Sequence, residues 1–184
     1  MKLILAITGA SGSIYARIAL ERLRALIDRF EEVAVIVSKT AEEVWRHELP
    51  GIPLNTEPFR RFDPGSFFAP VASGSAGYEA MIVIPCSMGT LGRIAHGTSD
   101  DLIARAADVM LKERRRLVVV PREAPYNRIH LQNMLTLTDA GAVICPASPH
   151  FYHHPGTLED LCDTVVVRAL RLAGIPVEET GFKG

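Results

Sequence analysis

Residues 81–123 read MIVIPCSMGTLGRIAHGTSDDLIARAADVMLKERRRLVVVPRE, and the pattern of this stretch decides the fold. Met81–Ile84 and Leu117–Val120 are uninterrupted apolar runs, which suit strands covered on both faces of a parallel sheet. Between them, Leu102, Ile103, Ala106, Val109 and Met110 recur at helical spacing, which predicts an amphipathic helix over Asp101–Arg114. Gly97 can close the shorter helical segment before it, and Ser99 or Asp100 can cap the longer one. In a parallel α/β sheet, ligands sit beyond the carboxyl ends of the strands. Those ends carry Pro85-Cys86-Ser87-Met88-Gly89-Thr90 and Pro121-Arg122-Glu123, hydroxyls and N–H groups on one side and a cation beside a carboxylate on the other. Such a donor set suits an anionic small molecule. Arg105 and Lys112 stand two helical turns apart, so both can face one anion.

Upstream, Lys2–Thr8 reads as a strand and Ser13–Ile27 as a helix. The turn Thr8-Gly9-Ala10-Ser11-Gly12-Ser13 can offer N–H groups and hydroxyls to a phosphate at the helix N-terminus. It is not GxGxxG, and a plain connecting turn is the alternative reading. Glu32–Val37 is the second strand and ends at Ser38-Lys39, donors where a dinucleotide fold places an acidic residue for the ribose. A phosphate-bearing mononucleotide therefore fits better than NAD. Lys39–Glu48 follows as a helix, with Trp45 in a core or interface and Glu48 a solvated carboxylate unless the fold turns it inward. Over Pro50–Ser75 the periodicity fades, leaving a short strand around Thr56–Phe59. The small-residue run 72–77 can approach a ligand or a neighbouring subunit closely.

Downstream, Asn127–Thr138 reads as a helix, Ala142–Cys145 as the last strand, and Thr157 as the cap of a final helix reaching Ala173. His153-His154 lacks a third ligand at any recognisable spacing, so no metal site is expected. The chain of 184 residues suits one domain, 1–184, and its net charge of -1 gives no reason to expect nucleic acid or an anionic membrane as partner. A hydrophobic share of 48% suggests buried subunit contacts. No stretch approaches transmembrane length, and no signal segment is recognisable at the start. Three cysteines without a CxxC spacing fit a reducing, cytoplasmic setting. The alternation of strands and helices predicts a three-layer, Rossmann-like or flavodoxin-like α/β fold with a central parallel sheet flanked by helices.

Five blocks carry a resemblance over nearly the whole chain: TGASGS at 8–13, VSKTAEE at 37–43, PCSMGTL at 85–91, ERRRLVVVPREAPYNRIHLQNM at 113–134 and PASPHFYHHP at 146–155. In these the sequence resembles the UbiX-type flavin prenyltransferases of the flavin-binding cysteine decarboxylase group. The resemblance implies FMN as cofactor, bound by Gly9, Ala10, Ser11, Ser38, Ser87, Met88, Gly89, Thr90 and Arg122. It implies that Tyr152 and Arg168 hold the phosphate of dimethylallyl phosphate, with Arg105, Lys112 and Glu123 lining the same pocket. Ser11 and Glu48 would assist proton movement near the flavin. The implied reaction needs no metal: reduced FMN takes the dimethylallyl group at N5 and then C6, giving prenylated FMN for a UbiD-type decarboxylase.

The family also implies a homo-oligomer, typically a dodecamer built from trimers, with phosphate ligands drawn from different subunits. Some members carry a longer C-terminal tail with an aromatic residue over the site, a feature the stretch ending at Gly184 does not match. Two other readings share the fold. One is an FMN-dependent oxidative decarboxylase of the cysteine decarboxylase group. That branch uses a PASANT-like turn and a PxMNxxMW segment, whereas Pro85–Thr90 and Pro121–Asn127 read PCSMGT and PREAPYN. The other is a non-catalytic flavin-binding subunit of an aromatic-acid decarboxylase, which would need no second phosphate pocket.

Overall fold

A computed structural model of the chain describes residues 1–178. Six strands, β1 (Lys2–Ile7), β2 (Glu32–Val37), β3 (Arg60–Phe62), β4 (Ala80–Cys86), β5 (Arg116–Pro121) and β6 (Val143–Ile144), form one sheet in the order β3-β2-β1-β4-β5-β6. Every neighbouring pair is parallel. Six helices accompany them: α1 (Ser13–Ala25), α2 (Lys39–Glu48), α3 (Met88–Ala95), α4 (Leu102–Lys112), α5 (Arg128–Asp139) and α6 (Leu158–Leu172).

The continuous apolar runs have a simple cause, because successive strand residues point to opposite faces and both faces are covered. Leu3, Leu5, Ile7, Val33, Val35, Ile82 and Val118 pack with residues of α1, α2 and α6. Ile4, Ala6, Ala34, Ile36, Met81, Val83 and Val119 pack with residues of α3 and α4 and with Leu137 of α5. The result is the three-layer flavodoxin-like architecture. From β1 the sheet grows through β2 to β3 on one side and through β4 to β6 on the other, so its direction reverses between β1 and β4. A crevice opens at such a switch point, between the turns that leave the two strands.

Four local expectations change. The short strand lies at Arg60–Phe62, paired with Ala34–Ile36, while Phe59 turns into the core at 7% exposure. The cap of α4 is Asp101, whose Oδ1 accepts from the Ala104 N–H at 2.8 Å, because Asp100 is taken up by Arg93 at 2.9 Å. That helix ends at Lys112, and Arg116 already belongs to β5. The last strand is confined to Val143–Ile144, the two residues that pair with Val118 and Val119.

Candidate active site

At the switch point the two turns are tied together by one buried side chain. Thr8, 2% exposed, donates its hydroxyl to the Pro85 carbonyl at 2.8 Å and accepts the Ser87 N–H at 2.8 Å. It thereby fixes the spacing of Gly9–Ser11 against Ser87–Thr90. Ser87 caps α3, its Oγ accepting from the Thr90 N–H at 3.3 Å and donating to Thr90 Oγ1 at 3.1 Å. Ser38 caps α2 in the same way, accepting from the Ala41 N–H at 3.1 Å, so its own hydroxyl hydrogen remains to be donated. Gly9 lets α2 come close: a Cβ there would lie 2.5 Å from Thr40 Cγ2. Met88 is largely buried beside the turn and Gly89 is exposed on it.

Arg122 follows β5 with its side chain exposed, and its N–H donates to the Cys86 carbonyl at 3.2 Å. It forms no ion pair with a described residue, and its Cγ lies 3.9 Å from where a Cβ on Gly12 would sit. Its charge also reaches Tyr15. Burial and the nearby Cys162 thiol push that phenol up to about 12, and Arg122 opposes them. Tyr15 is therefore a neutral wall of the crevice. Cys86, fully buried, is pushed up to about 12 by desolvation, which keeps it a protonated core thiol rather than a nucleophile.

The turn after β1 does not present an open helix N-terminus to a phosphate, as the sequence had suggested. Glu48, at the end of α2, is turned inward and occupies it. Its carboxylate accepts the Gly12 N–H at 2.9 Å and the Ser13 N–H at 2.7 Å. Burial raises its pKa, but hydrogen bonds from the Ser11 hydroxyl, the Ser13 and Gly12 N–H groups and the Ser13 hydroxyl outweigh it, and the net shift is downward. Glu48 is thus held as an anion whose charge the helix dipole offsets, and it orients Ser11 as a hydrogen-bond donor.

The remaining candidates do not gather at this crevice within one chain. Glu123 is exposed beside Arg122, its carboxylate accepting the Ala124 N–H at 3.0 Å. Arg105 and Lys112 do not meet on a common anion. Arg105 pairs with Asp108 at 2.7 Å and donates to the Ala72 carbonyl at 3.2 Å, whereas Lys112 pairs with Glu113. Lys112 ends α4, shortly before β5 begins, which places it toward the amino edge of the sheet. Tyr152 is 69% exposed on the loop after β6, beside His150. Arg168 is exposed on α6, near enough to Cys145 to counter the upward push of burial on that thiol. The C-terminal feature expected near Gly184 lies outside the described residues. Two contributors escaped the sequence reading. Thr8 reads in the sequence only as the end of a strand and the start of a turn, and nothing singles out Arg93, since neither belongs to a pattern until other segments meet it.

The donor set fits FMN. The Ser38 and Thr90 hydroxyls keep a hydrogen to donate and the Arg122 guanidinium is in no ion pair with a described residue, while the Glu48 carboxylate is already held by N–H groups, so a phosphate or a flavin carbonyl meets donors instead of repulsion. A parallel sheet with such a crevice at its switch point defines a mononucleotide-binding α/β protein, and residues 1–170 match the Flavoprotein family. The flavin prenyltransferase UbiX of Pseudomonas aeruginosa is 47% identical, over 95% of this chain and 90% of its own length. That of Methanocaldococcus jannaschii is 44% identical, over 95% and 94%. The crystal structure of AnUbiX (PadA1) with FMN and dimethylallyl pyrophosphate superposes with a TM-score of 0.89 at 45% identity, covering 97% of this chain and 93% of that one. A dodecameric FMN-dependent UbiX-like decarboxylase from Escherichia coli O157:H7 gives 0.93 at 40% identity over the full length of both. The chain belongs to the UbiX flavin prenyltransferase family of flavoproteins. Peptidyl-cysteine decarboxylases share the fold at 20% identity or below.

Proposed function

We propose that this protein joins the dimethylallyl group of dimethylallyl phosphate to N5 and C6 of reduced FMN, without a metal, and releases prenylated FMN for a UbiD-type decarboxylase. The observation that carries it is the near full-length match, at 45% identity, to a structure holding both FMN and a dimethylallyl donor. The bound reduced flavin supplies the nucleophile. The protein's part is binding and charge. Ser38, Thr90 and Arg122 hold the flavin with donors, Ser87 fixes the Thr90 hydroxyl beside it, and Ser11, whose hydrogen is donated to the Glu48 anion, offers lone pairs to a flavin N–H. Arg105, Lys112, Tyr152 and Arg168 receive the departing phosphate, whose growing charge fixed cations and donors can stabilise as a metal would. Glu123, beside Arg122, is placed to hold or relay a proton.

This division requires more than one subunit, because Arg105 and Lys112 lie away from the crevice of their own chain. Exposed apolar residues are consistent with a homo-oligomer, most plainly Ile129, Leu131 and Leu135 on α5 and Phe151 and Leu158 near α6, each more than half exposed. We extend this to the dodecamer seen in the E. coli protein. No helix of the described residues is long and apolar enough to cross a membrane. A cytoplasmic setting agrees with the three free cysteines, all buried. Anaerobic incubation with reduced FMN and dimethylallyl phosphate, followed by mass spectrometry, tests the reading. A flavin heavier by one prenyl unit is expected, and an unchanged flavin mass from FMN-loaded protein refutes it.

A further inference from the structure

Arg93 lies on α3, one turn beyond Thr90, and makes three polar contacts of its own. Its Nη2 donates to Thr90 Oγ1 at 3.2 Å and to Asp101 Oδ2 at 3.2 Å, and its Nε stands 2.9 Å from Asp100 Oδ1. A guanidinium can only donate, so Thr90 Oγ1 must accept from it. That oxygen also accepts from Ser87 Oγ at 3.1 Å. Both its lone pairs are then filled, and the hydroxyl hydrogen is the one valence left. No described residue accepts that hydrogen, although Thr90 is only 3% exposed. A buried donor without a partner points to an acceptor that arrives with a ligand. A cation donating to the same oxygen makes the hydroxyl a stronger donor.

We propose that Arg93 is a positioning residue of the flavin turn: it fills the acceptor capacity of Thr90 Oγ1 so that the Thr90 hydroxyl is presented to an oxygen of FMN. The proposal rests on the reading that Thr90 touches the flavin. Its second consequence is mechanical. Through Asp101, the cap of α4, Arg93 ties the flavin turn to the start of the helix that carries Arg105.

FMN affinity of the assembled protein, measured by quenching of flavin fluorescence, separates the possibilities. Thr90→Val and Arg93→Met are each expected to weaken FMN roughly ten-fold, as a lost charge-assisted bond implies. The double variant should bind no more weakly than Thr90→Val alone, since Arg93 acts through Thr90. Arg93→Gln, which keeps an amide donor, should recover part of the loss. If Thr90→Val weakens binding and Arg93→Met does not, the role of Arg93 is refuted while the flavin turn stands. If the two losses add fully in the double variant, Arg93 acts only on the general structure, and the proposal fails. If Thr90→Val itself has no effect, the underlying contact is absent and both readings fall. Should Arg93→Met not assemble, Arg93→Ala takes its place with the same outcomes.

Discussion

Replacing Glu48 with Gln tests the most unexpected contact in the molecule. The native carboxylate accepts N–H groups of Gly12 and Ser13 at 2.9 and 2.7 Å, at the N-terminus of α1. Hydrogen bonds to a charged group are worth about 1.5–3 kcal/mol, against about 1 for neutral ones. The helix dipole adds about 0.3–1 kcal/mol for an anion at this position. Gln keeps one acceptor oxygen and places an NH₂ against donors, so the loss is about 2 kcal/mol, reduced toward about 1 by the solvent that reaches Glu48. For a chain of this size that lowers Tm by about 2–8 °C.

The pH dependence has a definite sign. The folded-state pKa of Glu48 is depressed. Its stabilisation is therefore full above the unfolded value, about 4.3, and is lost as pH falls through the folded one. Thermal unfolding of wild type and Glu48→Gln at equal protein concentration, which matters for an oligomer, should show the gap at neutral pH and its closure in acid. Equal stability at neutral pH, or a gap that persists undiminished in acid, would show that the Glu48 charge does not hold α1.

Three further outcomes are expected. Glu123→Gln should leave FMN binding intact, by fluorescence, while prenylated flavin formation falls, and normal turnover would remove Glu123 from the mechanism. Thr8→Val leaves the Ser87 N–H without its buried partner and the Pro85 carbonyl with the Thr8 N–H alone, at about 1–3 kcal/mol, and should loosen FMN binding; Thr8→Ser, which keeps the hydroxyl, should not. Lys112→Met and Tyr152→Phe variants, each impaired alone, should regain activity when dissociated and reassembled together if the phosphate ligands come from different subunits. No gain in mixed oligomers would place both side chains in one chain's site.

The sequence alone determined the sheet and its ligand edge. Apolar runs such as Met81–Ile84 and Leu117–Val120 are legible because parallel strands bury both faces, and the cap Thr157 is legible because a capping residue acts within its own first turn. What only the tertiary structure decided were contacts between segments far apart in the chain. Glu48 reaches back 36 residues to Gly12, and Thr8 spans 79 to Ser87. Arg105 and Lys112 share a helical spacing, yet Lys112 pairs with its neighbour Glu113, while Arg105 pairs with Asp108 one turn on and also donates to the Ala72 carbonyl, 33 residues back, which packing alone brings to it. A period along the chain says which face a residue occupies. It says nothing of which acceptor waits there, and at this site the acceptors determine where each charge is held.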